Sequence, residues 1–267
     1  MPVWTLRGLL DGQATTRWPE PGADAGQTGL LGMPRVHAER CASECRACAS
    51  ACPTRAIRLD ADGRLAALDY GRCIACQLCV EACPSGALEA SGDWAFGAQD
   101  RADLVVELAP AEATARKLKE RIEQSFKGSL HIRHVDAGSC NGCESELQAL
   151  NNPFYNLHRL GIFFTASPRF ADLLLVTGVV TPAMREPLLT TWEAMPEPRL
   201  VMATGTCAVS GGAFDTTYAG GSGLAGVLPV DLWLPGCPPN PAAIMHGLLV
   251  LLERAGQRVH GGRYDAA

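Results

Sequence analysis

The sequence predicts two unlike domains in one chain: a small cysteine-rich α+β domain with internal pseudo-symmetry, followed by an α/β domain with a mainly parallel sheet. Three observations predict this. Eight of the twelve cysteines fall between Cys41 and Cys83. The stretch that holds them is an internal repeat. From residue 129 onward, short apolar runs alternate with longer helical stretches, the pattern of βαβ units. A length of 267 residues suits about two domains. With 47% hydrophobic and 19% charged residues, the chain can bury a core and lacks the signature of disorder. A formal net charge of -5 excludes an extended cationic surface for nucleic acid.

In chain order, residues 1–35 read as an N-terminal extension suited to docking on a partner. They include Trp4, Arg7, Asp11, Arg17, Pro19, Glu20 and Pro21, with no apolar core of a signal peptide, no paired arginines and no cleavage site. The expectation is a cytoplasmic protein whose cysteines stay reduced and serve as metal or cluster ligands. Residues 36–92 form the cysteine-rich domain. Residues 93–128 form a linker, with a solvated helix over 110–126 marked by Glu112, Arg116, Lys117, Lys119, Glu120, Arg121 and Glu123 at helical spacings. Residues 129–267 form the α/β domain. Strands are expected at 131–135, 162–165, 171–177, 199–203 and 230–234, and helices from 144, over 183–195 and over 241–254. The run 171–177 (ADLLLVT) carries a continuous apolar stretch from Leu173 to Val176, as a strand covered on both faces should. No apolar run approaches the ~20 residues that span a bilayer.

The repeat is explicit. Cys45-Arg-Ala-Cys48-Ala-Ser-Ala-Cys52-Pro53-Thr-Arg-Ala-Ile57 matches Cys76-Gln-Leu-Cys79-Val-Glu-Ala-Cys83-Pro84-Ser-Gly-Ala-Leu88 position by position. Cys73-x2-Cys76-x2-Cys79-x3-Cys83-Pro84 has the spacing of bacterial two-cluster ferredoxins, in which the fourth cysteine ligates the other cluster. A zinc ribbon would instead show two separated Cys-x2-Cys pairs. The crossed assignment is Cys41, Cys45, Cys48 and Cys83 on one 4Fe-4S cluster, and Cys73, Cys76, Cys79 and Cys52 on the other. Cys41 departs from the pattern, with three residues rather than two before Cys45. Either a one-residue bulge delivers it to iron, or it stands aside and that cluster is 3Fe-4S.

The other four cysteines follow strands. Cys140 and Cys143 come after the strand that ends near Asp136, Cys207 after the one ending at Thr204, and Cys237 after Leu234. All four therefore fall at carboxyl ends of parallel strands, the edge where open α/β sheets bind ligands. Together they form a third four-thiolate site, with Gly138, Gly142, Gly205 and Gly236 allowing close backbone approach. Three 4Fe-4S clusters per chain are expected.

These residues also carry a resemblance. Val135-Asp-Ala-Gly-Ser-Cys140-Asn-Gly-Cys143-Glu-Ser-Glu146, Ser167-Pro-Arg-Phe-Ala-Asp172, Thr177-Gly-Val-Val-Thr181, Gly205-Thr-Cys207 with Ser210-Gly-Gly-Ala-Phe214, and Pro235-Gly-Cys237-Pro-Pro resemble the small subunit of membrane-bound, energy-converting (group 4) NiFe hydrogenases. The likeness is to the formate hydrogenlyase type and spans residues 130–255. Residues 1–92, including Gly12-Gln-Ala-Thr-Thr-Arg-Trp-Pro19, resemble the two-cluster ferredoxin-like subunit of the same complexes, here fused into one chain. The resemblance implies a flavodoxin-like α/β fold behind a bacterial 2x4Fe-4S ferredoxin domain. It implies that Cys140, Cys143, Cys207 and Cys237 hold the cluster nearest a NiFe centre in a separate large subunit. Implied partners are that subunit, integral membrane subunits, and a formate dehydrogenase or ferredoxin-type donor, with the chain peripheral on the inner face of the cytoplasmic membrane.

An acid just after the Cys-x2-Cys motif is associated in this family with proton movement, which makes Glu144 and Glu146 candidates. A favourable interaction with the helix N-terminus accounts for such an acid equally well. The six histidines show no ligand-like spacing and are assigned to surface or core. The small subunit of respiratory complex I is related but carries two adjacent cysteines where this chain has Cys140-Asn-Gly-Cys143, so the spacing favours the hydrogenase branch. A complex I-like quinone-reducing module, or a relative without NiFe chemistry, is the alternative. A free-standing ferredoxin carrier is disfavoured by the second domain.

Overall fold

The computed structural model describes residues 3–108, 129–215, 217–261 and 263–265. The helix expected over 110–126 lies outside the described residues. The chain opens with helix α1 (Val3–Asp11), then builds the small domain from β1 (Arg35–Val36), α2 (Ala47–Ala51), β2 (Ile57–Leu59), β3 (Leu65–Asp69), α3 (Leu78–Glu81) and β4 (Leu88–Glu89). β1 pairs antiparallel with β4, and β2 with β3. Each repeat thus supplies one short cysteine-bearing helix and one strand, and α2 packs on α3. The symmetry reaches the backbone. Glu44 and Ala75, each just before the second cysteine of its run, share a left-handed conformation, as do Arg55 and Gly86, three residues after Cys52 and Cys83.

β5 (Val105–Glu107) adds to β3 as a third antiparallel strand, so part of the expected linker belongs to the small domain's sheet. The expected boundary is not a break in packing either. Ala98 exchanges two backbone hydrogen bonds with Trp233, of 2.9 and 2.8 Å, at the far edge of the second domain's sheet.

That second domain comprises β6 (Leu130–Asp136), α4 (Gly142–Ala149), β7 (Ile162–Phe164), β8 (Leu173–Thr177), α5 (Pro182–Glu193), β9 (Leu200–Thr204), α6 (Thr206–Ser210), β10 (Leu232–Leu234) and α7 (Pro241–Leu251), with a terminal hairpin of β11 (Val259–His260) and β12 (Arg263–Tyr264). The sheet runs β10-β9-β8-β6-β7, every pair parallel. β8, β9 and β10 are buried at every position. Alternation along β8 divides the load, since Leu173 and Leu175 join one apolar layer while Leu174 and Val176 join the other. The first layer contains α7, an apolar helix buried all round. It starts where Asn240 accepts a hydrogen bond from the Ala243 amide (2.8 Å) with Pro241 following. The second layer runs without interruption into the small domain, through Leu68, Phe96 and Leu104.

The N-terminal extension docks in part on this chain itself. Trp18 is buried, edge-on to Trp94 at 5.9 Å, and the Thr16 amide donates to the Phe154 carbonyl (2.9 Å). On α1, Val3, Leu6, Leu9 and Leu10 are exposed.

Candidate cluster sites and the proteins they resemble

All twelve cysteines are free thiols, and the structure gathers them in three groups of four. Cys41, Cys45, Cys48 and Cys83 line one small cavity with Leu65, Ala87 and Leu88. Cys52, Cys73, Cys76 and Cys79 line another with Ile57, Leu68 and Ile74. The fourth cysteine of each run crosses to the other's cavity because it leaves its short helix toward the opposite repeat. Cys41 lines the first cavity despite the extra residue before Cys45. Glu44, left-handed like its counterpart Ala75, donates its amide to the Asp62 carbonyl (2.7 Å). The Cys41 sulfur accepts a hydrogen bond from the Leu65 amide (3.3 Å). Cys52 accepts from Ala56 (3.2 Å) and Cys73 from Ala75 (3.4 Å).

The third group is assembled by the sheet's carboxyl edge. Cys140 and Cys143 come from the β6–α4 turn, Cys207 from the first turn of α6 and Cys237 from the loop between β10 and α7. Asn141 is left-handed, as Gln77 is between Cys76 and Cys79, so both Cys-x2-Cys loops turn the same way. Gly205 is required here. Its φ is +89°, and a Cβ on it would lie 2.6 Å from the Cys143 sulfur. Cys143 is buried, Cys207 half-buried, and Cys140 and Cys237 are exposed.

Burial is the main electrostatic fact at all three groups. It pushes the Cys73 thiol up to about 12 and those of Cys79 and Cys207 up to about 11, with neighbouring cysteines adding to the rise. Cys48 is raised by burial and by the other cysteines of its group, Cys143 by burial, Glu144 and the other cysteines of its group, and Cys237 by burial, Cys140 and Cys76. Cys83 is the exception, for although burial opposes it, hydrogen bonds from the Leu88, Ala87 and Ser85 region bring its pKa down. Several thiolates confined to one cavity need a compensating cation. Soft sulfur donors without carboxylate or imidazole among them suit iron–sulfur clusters, zinc or copper(I). Among the described residues no three His, Cys, Asp or Glu side chains converge closely enough to share a single ion. Thiols spread around a cavity wall fit a cluster, which is held at its corners.

Glu144 and Glu146 lie in different surroundings. Glu144 is buried, accepting hydrogen bonds from Ser139 Oγ (2.7 Å) and Thr177 Oγ1, with His134 Nε2 3.6 Å from its other contact oxygen, Oε1. His134 Nε2 also lies 3.0 Å from Thr177 Oγ1, and burial lowers the histidine pKa although Glu144 and Asp136 pull it upward. Glu146 lines a cleft of about 300 Å³ together with Cys237, Pro238, Ile74 and Trp94, and burial raises its pKa. Sequence reasoning missed His134, Ser139 and Thr177. Thr177 ends an apolar strand at the same carboxyl edge that identified the cysteines, so the rule applied to sulfur would have found it.

Two further contacts tie this edge to the small domain. Thr206 Oγ1 donates to the Cys73 carbonyl (2.9 Å) and accepts from the Gly236 amide (3.1 Å). Arg72 meets Asp215 at 2.5 Å.

Residues 140–251 match the family model of the NADH ubiquinone oxidoreductase 20 Kd subunit, and residues 40–87 match that of the 4Fe-4S dicluster domain. Among relatives, formate hydrogenlyase subunit 7 of Escherichia coli is 39% identical over 61% of this chain, and the chain spans 64% of that protein's length. A probable membrane-bound hydrogenase subunit of Pyrococcus furiosus is 40% identical over 55% of this chain and 89% of its own. An NADH-quinone oxidoreductase subunit of Citrifermentans bemidjiense is 46% identical over 42% of this chain and 65% of its own. Among the described residues no helix is long and apolar enough to cross a membrane. With its strand-edge cysteines inside the matched region and the paired cavities inside the dicluster segment, the chain belongs to the oxidoreductase family of the NADH ubiquinone oxidoreductase 20 Kd subunit, carrying a 4Fe-4S dicluster domain ahead of it.

Proposed function

We propose that this chain is the iron–sulfur electron-transfer subunit of a membrane-associated, energy-converting hydrogenase complex of the formate hydrogenlyase type. The observation that carries the reading is the gathering of all twelve cysteines into three four-thiol groups, two in the dicluster segment and one on the sheet edge of the 20 Kd-type domain. Cys41, Cys45, Cys48 and Cys83 would hold one 4Fe-4S cluster, Cys52, Cys73, Cys76 and Cys79 a second, and Cys140, Cys143, Cys207 and Cys237 a third. Bound there, the clusters supply one-electron carriage at low potential. Seating of Cys41 in its cavity supports 4Fe-4S over 3Fe-4S at the first site. Cys237 feels the charge of Cys76, which supports the second site, not the first, as the neighbour of the sheet-edge site. The strand order supports a flavodoxin-like assignment, with division into an extension (1–35), a dicluster domain (36–92), a connecting segment (93–128) and the α/β domain (129–267).

The protein's own groups prepare the edge. Ser139 and Thr177 hold the Glu144 carboxylate by two hydrogen bonds, so it stays fixed beside Cys143. The single Thr177 hydroxyl hydrogen points to Glu144, so Thr177 accepts from His134 Nε2–H. Glu144 is thereby the better proton-relay candidate, and Glu146 guards the cleft at Cys237. A large subunit with the NiFe centre would cover the exposed Cys140 and Cys237 from the cytoplasmic side of the membrane, with membrane subunits beneath and a formate dehydrogenase or ferredoxin-type donor upstream.

The match to the 20 Kd family and to NADH-quinone oxidoreductase subunits supports a second reading, a complex I-like quinone-reducing module. Anaerobic purification of the chain with its native partners separates the two. Stoichiometric nickel in the large subunit and reduction of the clusters by hydrogen are expected; a nickel-free complex reduced through quinol supports the second reading, and a stable monomer without any partner contradicts both.

A further inference from the structure

Thr206 occupies a place that neither the cysteine pattern nor the family match assigns. It is 1% exposed, and its hydroxyl makes two bonds that join three cysteine loops. It donates to the carbonyl of Cys73 in the dicluster domain (2.9 Å) and accepts from the amide of Gly236, the residue before Cys237 (3.1 Å), while its own backbone leads into Cys207. A hydroxyl has one hydrogen to give and can accept in return, and both capacities are used. The backbone repeats the link, since the Thr206 amide donates to the Gly236 carbonyl (2.9 Å).

From this geometry we infer that Thr206 is a positioning residue whose hydroxyl fixes the sheet-edge four-cysteine site against the second dicluster site and so sets their separation. The inference rests on the cluster-bearing reading proposed above. It does not make Thr206 a ligand, and no bond or proton changes hands at it. Valine is the informative replacement because it keeps the shape and removes the hydroxyl, leaving the Cys73 carbonyl and the Gly236 amide buried without that partner. The domains remain docked in that variant through the Arg72–Asp215 pair and the Ala98–Trp233 bridge.

The experiment compares wild type, Thr206→Val and Thr206→Ser as full-length chains purified anaerobically with their partners. Three readings are taken on one sample: iron per chain, amide exchange at Gly236, and the magnetic interaction between reduced clusters by EPR. The expected result is unchanged iron in all three, Gly236 exchange faster by about tenfold in the valine variant from loss of a buried hydrogen bond, and a weakened interaction between clusters that serine restores. Wild-type exchange and interaction in the valine variant overturn the inference, and so does a serine variant that behaves like valine, which would make the methyl packing responsible. Low iron in wild type counts against the cluster reading, and the exchange comparison still decides the role of the hydroxyl.

Discussion

The two halves of this molecule are held together by different means. The α/β half has a five-stranded parallel sheet with apolar layers on both faces and a helix, α7, buried along its whole length. The dicluster half has strands of two to five residues and helices of four and five, and Cys48, Cys73 and Cys79 count among its buried residues. Elements this short bury few core side chains of their own, and the apolar layer they share is completed by the α/β half. What its thiols bind therefore becomes part of its fold, while the sheet-edge site is an attachment to a domain already stable. Loss of iron should have opposite structural consequences in the two halves of one polypeptide.

The largest effect expected follows directly. Stripping iron with a chelator under reducing conditions should abolish amide-exchange protection across residues 38–89 while β6, β8 and β9 stay protected. Uniform loss in both halves would mean that the two are held together by the same means. Next comes Gly205→Ala, which puts a methyl 2.6 Å from the Cys143 sulfur at a φ of +89°. It should lower iron from about twelve to about eight atoms per chain with the dicluster signals intact, measured by iron analysis and EPR.

A third test concerns acid. His246 sits in the apolar layer under the sheet, 3% exposed, with Nδ1 lacking a hydrogen-bond partner, and burial pushes its pKa down to about 4. The unfolded chain takes up a proton near pH 6.5 and the folded chain does not, so the α/β half should lose stability as pH falls from about 6.5 to about 4, by roughly 3 kcal/mol in all. Unfolding of His246→Leu across that range should lack this slope. A smaller effect belongs to the seam. Asp215, whose side chain is 9% exposed, is held below the usual carboxylate range by its bond to Arg72, against the pull of burial. Asp215→Asn should lower stability by about 1–3 kcal/mol, as loss of a charged hydrogen bond does, and should speed exchange along residues 72–76 without changing iron content.

What the sequence reveals follows the same divide. Cysteine spacing announces the dicluster half because ligand geometry constrains neighbours in sequence, and the crossing of Cys52 and Cys83 is readable from the repeat. The parallel sheet is readable from its apolar runs, each strand lying within a few residues of its expected place. Contacts between distant segments are not readable. β5 reads as linker, since three residues carry no periodicity of their own and become a strand only by register with β3. His134 has no ligand spacing, whereas its meaning comes from Glu144 and Thr177, brought to it by α4 and by β8 pairing on β6. Thr206 and Asp215 give no local signal, because each matters for a residue of the other domain.

Everything proposed here depends on three four-thiolate sites holding three cubane clusters. The most direct measurement is iron, acid-labile sulfide and zinc per chain on anaerobically purified full-length protein, with Mössbauer spectra on the same sample. About twelve iron and about twelve sulfide in 4Fe-4S form are expected. About eight iron, a 3Fe-4S component traceable to Cys41, or stoichiometric zinc would contradict that expectation.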